Sequence, residues 1–515
     1  MPSSKDYYYA ESGGVPLLKQ ENDEKEESVL FKLRTYLPFS VLLAFLSAAT
    51  GGMLFGYIIG ITSNAVVEQS PGAQGGVVCS KNATHGNDTD CYDFTEFEKS
   101  LLTSMNIIFA LIGTLICFRV ARTLGRRREL MLGAVLYLSG GIVSGLAVGA
   151  WMVWLGQALY GLGVGFSMHA APAYVAEVAP ACLRGLLVAL KEAFIVLGIL
   201  LGFLVGNIFH DTHGGWRYML AAVPTVFSVL QLVGIYFSSP SPRWLLVSGD
   251  VDRARNSLQN FRVAKHDSDE ELFQMQTAVE AESDTSITTR DLFRGKYGRA
   301  LFIGCGVVVL QQLTGQPSVL YYATTVFKYA GFGSSASLQP VYVGGAKLIF
   351  TLIAAFTVDR AGRKPLLYVG ISVMLISLVL LAVAFSQRYC SIAGISLEQC
   401  RTEDIALPEK WGVSAVVALM LYVSGYQLSF GPIAWLLISE LFPINARGKA
   451  LSIAASANFS TNIVVTIAFT PLLTALTPTG AFALYAALCV VSILFVKAFV
   501  FETKGLTLEE IEERL

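Results

Sequence analysis

The chain has 515 residues, a mean hydropathy of +0.56 and 15% charged residues, against roughly 25% in an ordinary soluble protein. Such an excess of apolar residues over this length excludes a water-soluble globular protein. The formal net charge of −1 gives no electrostatic reason to expect a nucleic-acid partner. The composition therefore predicts a protein embedded in a lipid bilayer.

Twelve apolar runs approach the length of about 20 residues that spans the hydrocarbon core of a bilayer. Each run predicts a helix, because a backbone exposed to lipid must satisfy its hydrogen bonds internally. The fold class is thus an all-α membrane protein with twelve transmembrane helices. The runs lie near 38–64, 100–121, 128–148, 151–179, 184–206, 217–238, 299–329, 337–359, 365–386, 412–439, 448–473 and 479–500.

Two motifs occur twice and divide the runs into two sets of six. Gly125-Arg126-Arg127 matches Gly362-Arg363-Lys364, and the segment from Glu177 to Gly185 matches the segment from Glu440 to Gly448. A duplicated membrane half is typical of transporters whose substrate site lies between the halves. We expect an N-terminal tail at 1–36, six-helix bundles at 37–238 and 299–501, a linker with short helices at 239–298, and a C-terminal tail at 502–515. A disordered linker is the alternative for 239–298.

The orientation follows from the short loops. Basic residues such as Arg126, Arg363 and Arg447 follow the second, eighth and tenth runs, which predicts that this side and both termini are cytosolic. The loop after the first run then faces outward. Its sequons, Asn82-Ala-Thr84 and Asn87-Asp-Thr89, predict glycosylation of Asn82 and Asn87.

Four cysteines fall in outward-facing loops as close pairs, Cys79 with Cys91 and Cys390 with Cys400. Such loop pairs indicate disulfides on an oxidising face. The connectivity is left open, because it cannot be deduced from sequence.

Several strings resemble those of the sugar porter family of the major facilitator superfamily. Within it, the chain is most similar to the plant-type vacuolar glucose transporter, or xylose-symporter-like, group. The resemblance implies a hexose, pentose or cyclic polyol moved by alternating access. The strings are Gly51-Gly-Met-Leu-Phe-Gly56-Tyr57, Glu177 to Gly185, Ser241-Pro-Arg-Trp244, Gln311-Gln-Leu-Thr-Gly-Gln-Pro317, Asp359-Arg-Ala-Gly-Arg-Lys364, Gly431-Pro-Ile-Ala-Trp435 and Glu502-Thr-Lys-Gly505.

Polar side chains within the apolar runs suit a neutral sugar, which needs amides and hydroxyls for its own hydroxyls and aromatic faces for its C–H surface. By resemblance, Gln311, Gln312, Trp435, Asn458 and Asn462 match sugar-contacting positions. The alternative for each amide is a hydrogen bond between helices. The full predicted set is Glu192, Gln311, Gln312, Gln316, Tyr322, Lys347, Gln427, Trp435, Asn458 and Asn462.

Two members of this set are charged. Glu192 and Lys347 have opposite sign and lie in opposite halves, within the fifth and eighth runs. Ionisable residues inside a membrane are functional candidates because their burial is costly. We expect both to face the cavity and to pair, directly or through the substrate. The alternative is a lysine that extends to the membrane interface.

Charged residues at the ends of the runs are predicted to latch the two halves together when the cytosolic side is closed. Their charge also fixes the topology. Arg122 stands where the family usually has an acidic residue, so the N-terminal latch is expected to differ. The predicted latch residues are Glu177, Arg184, Asp359, Arg360, Arg363, Glu440 and Arg447.

The coupling mechanism is predicted from two replacements. Proton-coupled members of the family usually carry a carboxylate and an arginine at the positions of Ile58 and Gln157. Their joint loss favours facilitated diffusion, with a proton-coupled sugar or polyol symporter as the alternative and a non-transporting sugar sensor less favoured. No enzymatic activity, cofactor or metal is expected. We expect a functional monomer in the plasma membrane or a vacuolar or lysosomal membrane.

Overall fold

A computed structural model describes residues 37–66, 75–79, 91–263, 267–284, 290–330, 337–390, 405–442, 444–504, 510–511 and 514–515. The predicted tail at 1–36, the sequons at Asn82 and Asn87, and Cys400 lie outside these ranges. Cys79 and Cys91 are joined by a disulfide, and Cys390 is disulfide-bonded as well.

The first half of the chain forms six long helices at the first six predicted runs. Three short helices and one 3-10 turn follow them in the linker. The long helices are α1 (Phe39–Ala65), α2 (Glu96–Leu124), α3 (Arg126–Gly145), α4 (Ala150–Val178), α5 (Ala181–Ile208) and α6 (Gly215–Phe237). The linker holds α7 (Pro242–Val247), α8 (Val251–Asn260), α9 (Asp267–Asp284) and the turn at Asp291–Phe293.

The second half forms eight helices and one short antiparallel strand pair. The helices are α10 (Gly295–Leu313), α11 (Gln316–Tyr321), α12 (Ala323–Tyr329), α13 (Gln339–Ala361), α14 (Arg363–Ser386), α15 (Glu409–Leu428), α16 (Phe430–Leu441) and α17 (Ile444–Phe499). The strands, β1 (Tyr389–Cys390) and β2 (Ile405–Ala406), lie between α14 and α15.

These eight helices account for the remaining six predicted spans because two spans are interrupted and two others are joined into one helix. Gly315, with a φ of 95°, ends α10 just before Pro317, so α10, α11 and α12 form one span. Helices α15 and α16 form another, and α17 bends at Thr477, whose φ is 60°, to make the last two. In the described ranges nine stretches are long and apolar enough to cross a membrane. Helices α3 and α4 add two, and the bend divides α17, which gives the predicted twelve (9 + 2 + 1).

Each half packs as a bundle of its own. In the first half α1 contacts α5 and α6, while α4 contacts α2 and α3; in the second, α14 contacts α15 and α17, and α10 contacts α16 and α17. The two halves meet where α2 contacts α17 and where α5 contacts α13. The predicted fold of two six-helix bundles is confirmed, while the residue limits assigned to the bundles, linker and tails stay predictions.

The closest helix contact in the first bundle joins α1 and α5. A Cβ atom on Gly56 would lie 1.8 Å from the carbonyl oxygen of Ile195, and one on Gly198 would lie 2.0 Å from that of Met53. Small residues allow two membrane helices to bring their backbones this close. The two glycines therefore fix the spacing of α1 and α5.

Replacing Gly56 by alanine should lower the free energy of unfolding by about 1–3 kcal/mol, because the added methyl group forces α1 away from α5. The measurement is the thermal unfolding midpoint of the detergent-solubilised protein. Gly345→Ala in α13 is the matched control, since a Cβ there meets nothing within 4 Å. Equal losses in the two variants would contradict the close packing of α1 on α5.

The two ends of the bundle pair differ. We call the end that holds Cys79 and Cys91 the disulfide end, and the end that holds Arg126, Arg363 and Arg447 the arginine end. Between described residues, the side-chain hydrogen bonds that join the two halves all lie at the disulfide end. They link Ser63 to Thr324, Thr324 to Asn64, Ser100 to Thr470 and Ser337 to Asn207, at 2.9–3.0 Å.

At the arginine end, no side-chain hydrogen bond joins the two halves between described residues, and several side chains are exposed. Gly185 and Gly448, at equivalent places in the duplicated motif, are exposed, and a Cβ on either would meet nothing within 4 Å. Arg184 and Arg360 are exposed at this end too. The chamber between the bundles is therefore closed at the disulfide end and open at the arginine end.

Candidate functional site

Four of the predicted amide residues come together on α10 and α17. Asn458 Nδ2 donates to Gln311 Oε1 at 3.4 Å, and Asn462 Nδ2 donates to Gln312 Oε1 at 3.3 Å. Gln311 Nε2 also donates to the carbonyl oxygen of Phe430 at 3.0 Å, at the start of α16. The interhelical hydrogen bonds that were the alternative role are thus present, and they hold the amides in fixed positions.

The same geometry distinguishes the two glutamines. Gln311 makes hydrogen bonds through both its amino group and its carbonyl oxygen. Among the described residues, Gln312 makes one through its carbonyl oxygen only. Gln312 and Asn458 are buried, with 4% and 8% of their surface exposed, and neither Gln312 Nε2 nor Asn458 Oδ1 has a hydrogen-bond partner among the described residues. A donor and an acceptor left without a protein partner are suited to bind the hydroxyl groups of a ligand.

A second polar group lies on α13 and α15. Lys347 is only 4% exposed, and its ammonium group donates to Gln427 Oε1 at 2.9 Å and lies 4.9 Å above the ring of Tyr426. Glu192, half-buried on α5, lies within electrostatic range of Lys347 but not within 4.0 Å of it. In this conformation Lys347 is therefore held by its own half, and the pairing with Glu192 stays a prediction.

The remaining predicted contacts occupy less polar surroundings. The hydroxyl of Tyr322 donates to the carbonyl oxygen of Thr466 at 3.4 Å, and its ring lies 5.0 Å from that of Phe469. Trp435 is half-buried against the hydrophobic core on α16, and Gln316 is half-buried at the start of α11. These three residues lie in the second half with the amide group.

Glu177, one of the predicted latch residues of the first half, forms a brace within that half. Arg126 Nε lies 3.7 Å from Glu177 Oε1, which joins the start of α3 to the end of α4. The other carboxylate oxygen of Glu177 accepts a hydrogen bond from the Ser241 hydroxyl, at the N-terminus of α7. Ser241 thus ties the linker to this brace.

The second half repeats this arrangement. Arg363 Nη2 lies 2.8 Å from Glu440 Oε1, and the Thr503 hydroxyl donates to Glu440 Oε2 at 2.6 Å. The Glu502 carboxylate accepts the backbone N–H groups of Arg363 and Lys364, each at 3.0 Å. Burial acts to raise the pKa of Glu502, but these backbone donors outweigh it and hold the pKa below its usual range.

Neither brace crosses between the halves, so the predicted latch is not formed in this conformation. The side chains of Arg184 and Arg360 are exposed. Arg447 Nε donates to the carbonyl oxygen of Phe442 at 3.3 Å, within its own half. The Asp359 side chain lies outside the described part of the structure. A latch between the halves stays a prediction for the conformation closed at the arginine end. Sequence reasoning did not assign roles to Ser241 and Thr503, although each directly follows the last membrane helix of its half.

Ile58 and Gln157, on which the coupling mechanism was predicted, are both buried, with 1% and 6% of their surface exposed. Gln157 lines a small cavity with Thr62, Val153 and other residues, none of which is charged. The neutral Gln157 thus matches its surroundings, because a charge there would have no counterion in this cavity.

Comparison with known proteins agrees with this architecture. The family described as "Sugar (and other) transporter" matches residues 44–515. The chain is 40% identical to D-xylose-proton symporter-like 2 of Arabidopsis thaliana, with 97% of this chain and 94% of the relative covered. It is 33% identical to the glucose transporter GlcP of Staphylococcus epidermidis, with 92% and 97% covered.

Among solved structures, a partially occluded inward-open conformation of the xylose transporter XylE from E. coli matches with a TM-score of 0.72. That match has 26% identity and covers 91% of this chain and all (100%) of XylE. These relatives are membrane transporters and not enzymes, as the sequence predicted. The chain belongs to the sugar transporter family and, within the major facilitator superfamily, to its sugar porters.

Proposed function

We propose that this protein carries a monosaccharide, a hexose such as glucose, by facilitated diffusion through alternating access. The observation that carries the proposal is the pair of neutral, buried side chains at Ile58 and Gln157, combined with an amide-lined group on α10 and α17. The first feature argues against a proton-coupling pair at these positions. The second argues for a neutral, hydroxyl-rich substrate.

The amide atoms without a protein partner support the substrate class. Among the described residues, Gln312 Nε2 remains as a donor and Asn458 Oδ1 as an acceptor on neighbouring helices, and sugar hydroxyls both donate and accept hydrogen bonds. The half-buried Trp435 offers an aromatic face for the C–H surface of a sugar ring. One of the relatives is named a glucose transporter, which agrees with a hexose.

Proton-coupled symport is the second candidate, since another relative is named a D-xylose-proton symporter-like protein. The carboxylate that would serve is Glu192, which is half-buried on α5 within electrostatic range of Lys347. Uniport is preferred because Ile58 and Gln157 replace both members of the usual pair at once.

The topology and location are part of this proposal. We place the arginine end and both termini in the cytosol, and the disulfide end, with glycosylated Asn82 and Asn87, on the opposite side of a plasma, vacuolar or lysosomal membrane. The protein works as a monomer. During closure of the arginine end, Arg184 and Arg360 approach the facing half and complete the predicted latch.

Counterflow in proteoliposomes tests the function. Vesicles preloaded with unlabelled D-glucose, D-xylose or myo-inositol should take up the labelled compound, and D-glucose should give the largest signal. Protein-free vesicles and labelled L-glucose are the controls. An imposed pH gradient should not drive accumulation of sugar above its outside concentration, and such accumulation driven by protons would replace uniport by symport. Absence of counterflow with every sugar would reject the carrier assignment.

A further inference from the structure

A buried carboxylate on α3 lies outside everything assigned above. The Glu129 side chain is 0% exposed, and its Oε2 atom lies 3.2 Å from Nδ1 of His169 on α4 and 3.8 Å from Nη1 of Arg126. Its Oε1 atom is buried and has no hydrogen-bond partner among the described residues. A buried carboxylate with an oxygen that lacks a donor is costly, so this site favours a proton on a neighbouring group.

The charges around Glu129 balance only when that proton is present. Arg126 lies between two carboxylates, at 3.8 Å from Glu129 and 3.7 Å from Glu177, and neither distance is that of a tight ion pair. One guanidinium cannot neutralise both carboxylates. A proton on His169 supplies the second positive charge, and histidine is the side chain whose charge ordinarily changes between about pH 5 and pH 8.

Among the described residues, Arg126 and His169 are the only ones with a side-chain nitrogen within 4.0 Å of the Glu129 carboxylate. Helix α1 has no charged residue, and α6 presents the neutral Gln231, whose Nε2 lies 3.5 Å from the Ser167 hydroxyl. The other titratable or charged groups nearby are Cys117 on α2, Arg127 bound to carbonyl oxygens of α6, Tyr137 on α3, Tyr174 on α4, Lys191 and Glu192 on α5, and Arg243 on α7.

We propose that Glu129 and His169 form a proton-binding site that sets the rate of sugar transport by deciding which carboxylate Arg126 holds. This proposal rests on the sugar carrier function proposed above. With His169 protonated, the imidazolium neutralises Glu129, and Arg126 stays with Glu177. With His169 neutral, Glu129 draws Arg126 to itself and releases Glu177.

Whether Arg126 contacts Glu129 or Glu177 affects the arginine end. Glu177 is the point at which α3, the end of α4 and Ser241 of the linker are joined. The predicted latch needs Glu177 to engage the facing half when the arginine end closes, so a brace that holds Glu177 within its own half favours the open conformation. Acidification therefore favours the open arginine end and slows the return of the carrier.

The first experiment is exchange of labelled sugar in proteoliposomes with the same pH on both sides, so that no gradient contributes. Exchange by the unmodified protein should fall about fivefold between about pH 7.5 and pH 5.5. His169→Gln keeps a hydrogen-bonding side chain but cannot take up the proton, so its exchange should not vary with pH. His213→Gln, at an exposed histidine between α5 and α6, is the matched control and should keep the normal profile.

The second experiment does not depend on sugar transport. Spin labels at Gly185→Cys and Gly448→Cys, both exposed at the arginine end, report the separation of the halves. The population with the larger separation should grow as the pH falls, and His169→Gln or Glu129→Gln should abolish that response. The thermal unfolding midpoint of each variant checks folding, with His169→Asn as a second neutral substitution.

The outcomes separate this proposal from the carrier function. A pH response of His169→Gln equal to that of the unmodified protein, or no response in the unmodified protein, overturns the proton site. A protein that exchanges no sugar fails the carrier function, and the spin-label distances still decide the proton site. Loss of the pH response in His169→Gln and in His169→Asn, with a normal pH profile in His213→Gln, supports the proton site.

Discussion

Replacing Gln312 by alanine should lower kcat/KM for the transported sugar by about 10–100-fold, while the thermal unfolding midpoint changes little. The reason is the unequal use of the two neighbouring glutamines. Within the described residues, Gln312 makes one hydrogen bond to the protein, from Asn462 at 3.3 Å, and keeps its amino group for a ligand. A site built to bind a hydroxyl group loses about this factor when one partner is removed.

Gln311→Ala should mainly lower the stability of the protein rather than its kcat/KM. Its amide joins Phe430 O at 3.0 Å and Asn458 at 3.4 Å, so the substitution leaves a buried carbonyl oxygen without its donor. The expected cost in the free energy of unfolding is about 1–3 kcal/mol. Gln276→Ala on α9, which removes a hydrogen bond to Glu280 outside the membrane helices, controls for the substitution itself.

Counterflow kinetics and thermal unfolding, measured on the same preparations, distinguish the two glutamines. If Gln312→Ala transports normally, its amino group does not contact the sugar, and the assignment of the amide group as the substrate site loses its strongest member. If both variants lose transport and stability equally, the two side chains act only as contacts between helices.

The sequence predicts the helices of this protein more fully than their arrangement. Apolar length alone is enough for α1 to α6, because a membrane admits few other structures. The interruptions of the second half depend on single residues, such as Gly315 in the left-handed region and Thr477 at the bend of α17. A run of apolar residues does not indicate whether such a residue interrupts a helix or whether the helix continues through it.

The candidate site shows the same limit. The duplicated motifs identify Glu177, Arg363 and Glu440 as latch residues, but they do not encode which half each of them contacts, since that depends on the conformational state. The pair of Glu129 and His169 is separated by 40 residues and becomes a contact only because α3 packs against α4. One histidine in an apolar helix has no spacing pattern to reveal its partner.

The charged pair Glu192 and Lys347 leads to the second large effect. Glu192→Gln should reduce transport by a factor of about 100–4,000, because closure of the chamber would bury Lys347 without its counterion, at a cost of about 3–5 kcal/mol. In the open conformation Lys347 is held by Gln427 at 2.9 Å and by the ring of Tyr426. The thermal unfolding midpoint of the resting protein should therefore change little.

The double substitution Glu192→Gln with Lys347→Asn removes both charges and should recover much of the lost transport. The interaction energy follows from rates of counterflow for the protein, the two single variants and the double variant. Lys497→Asn, at an exposed lysine in the last turn of α17, is the matched control and should leave the rates unchanged. Losses that simply add would mean that the two charges act separately, and Lys347 would then serve to hold Gln427 rather than to meet Glu192.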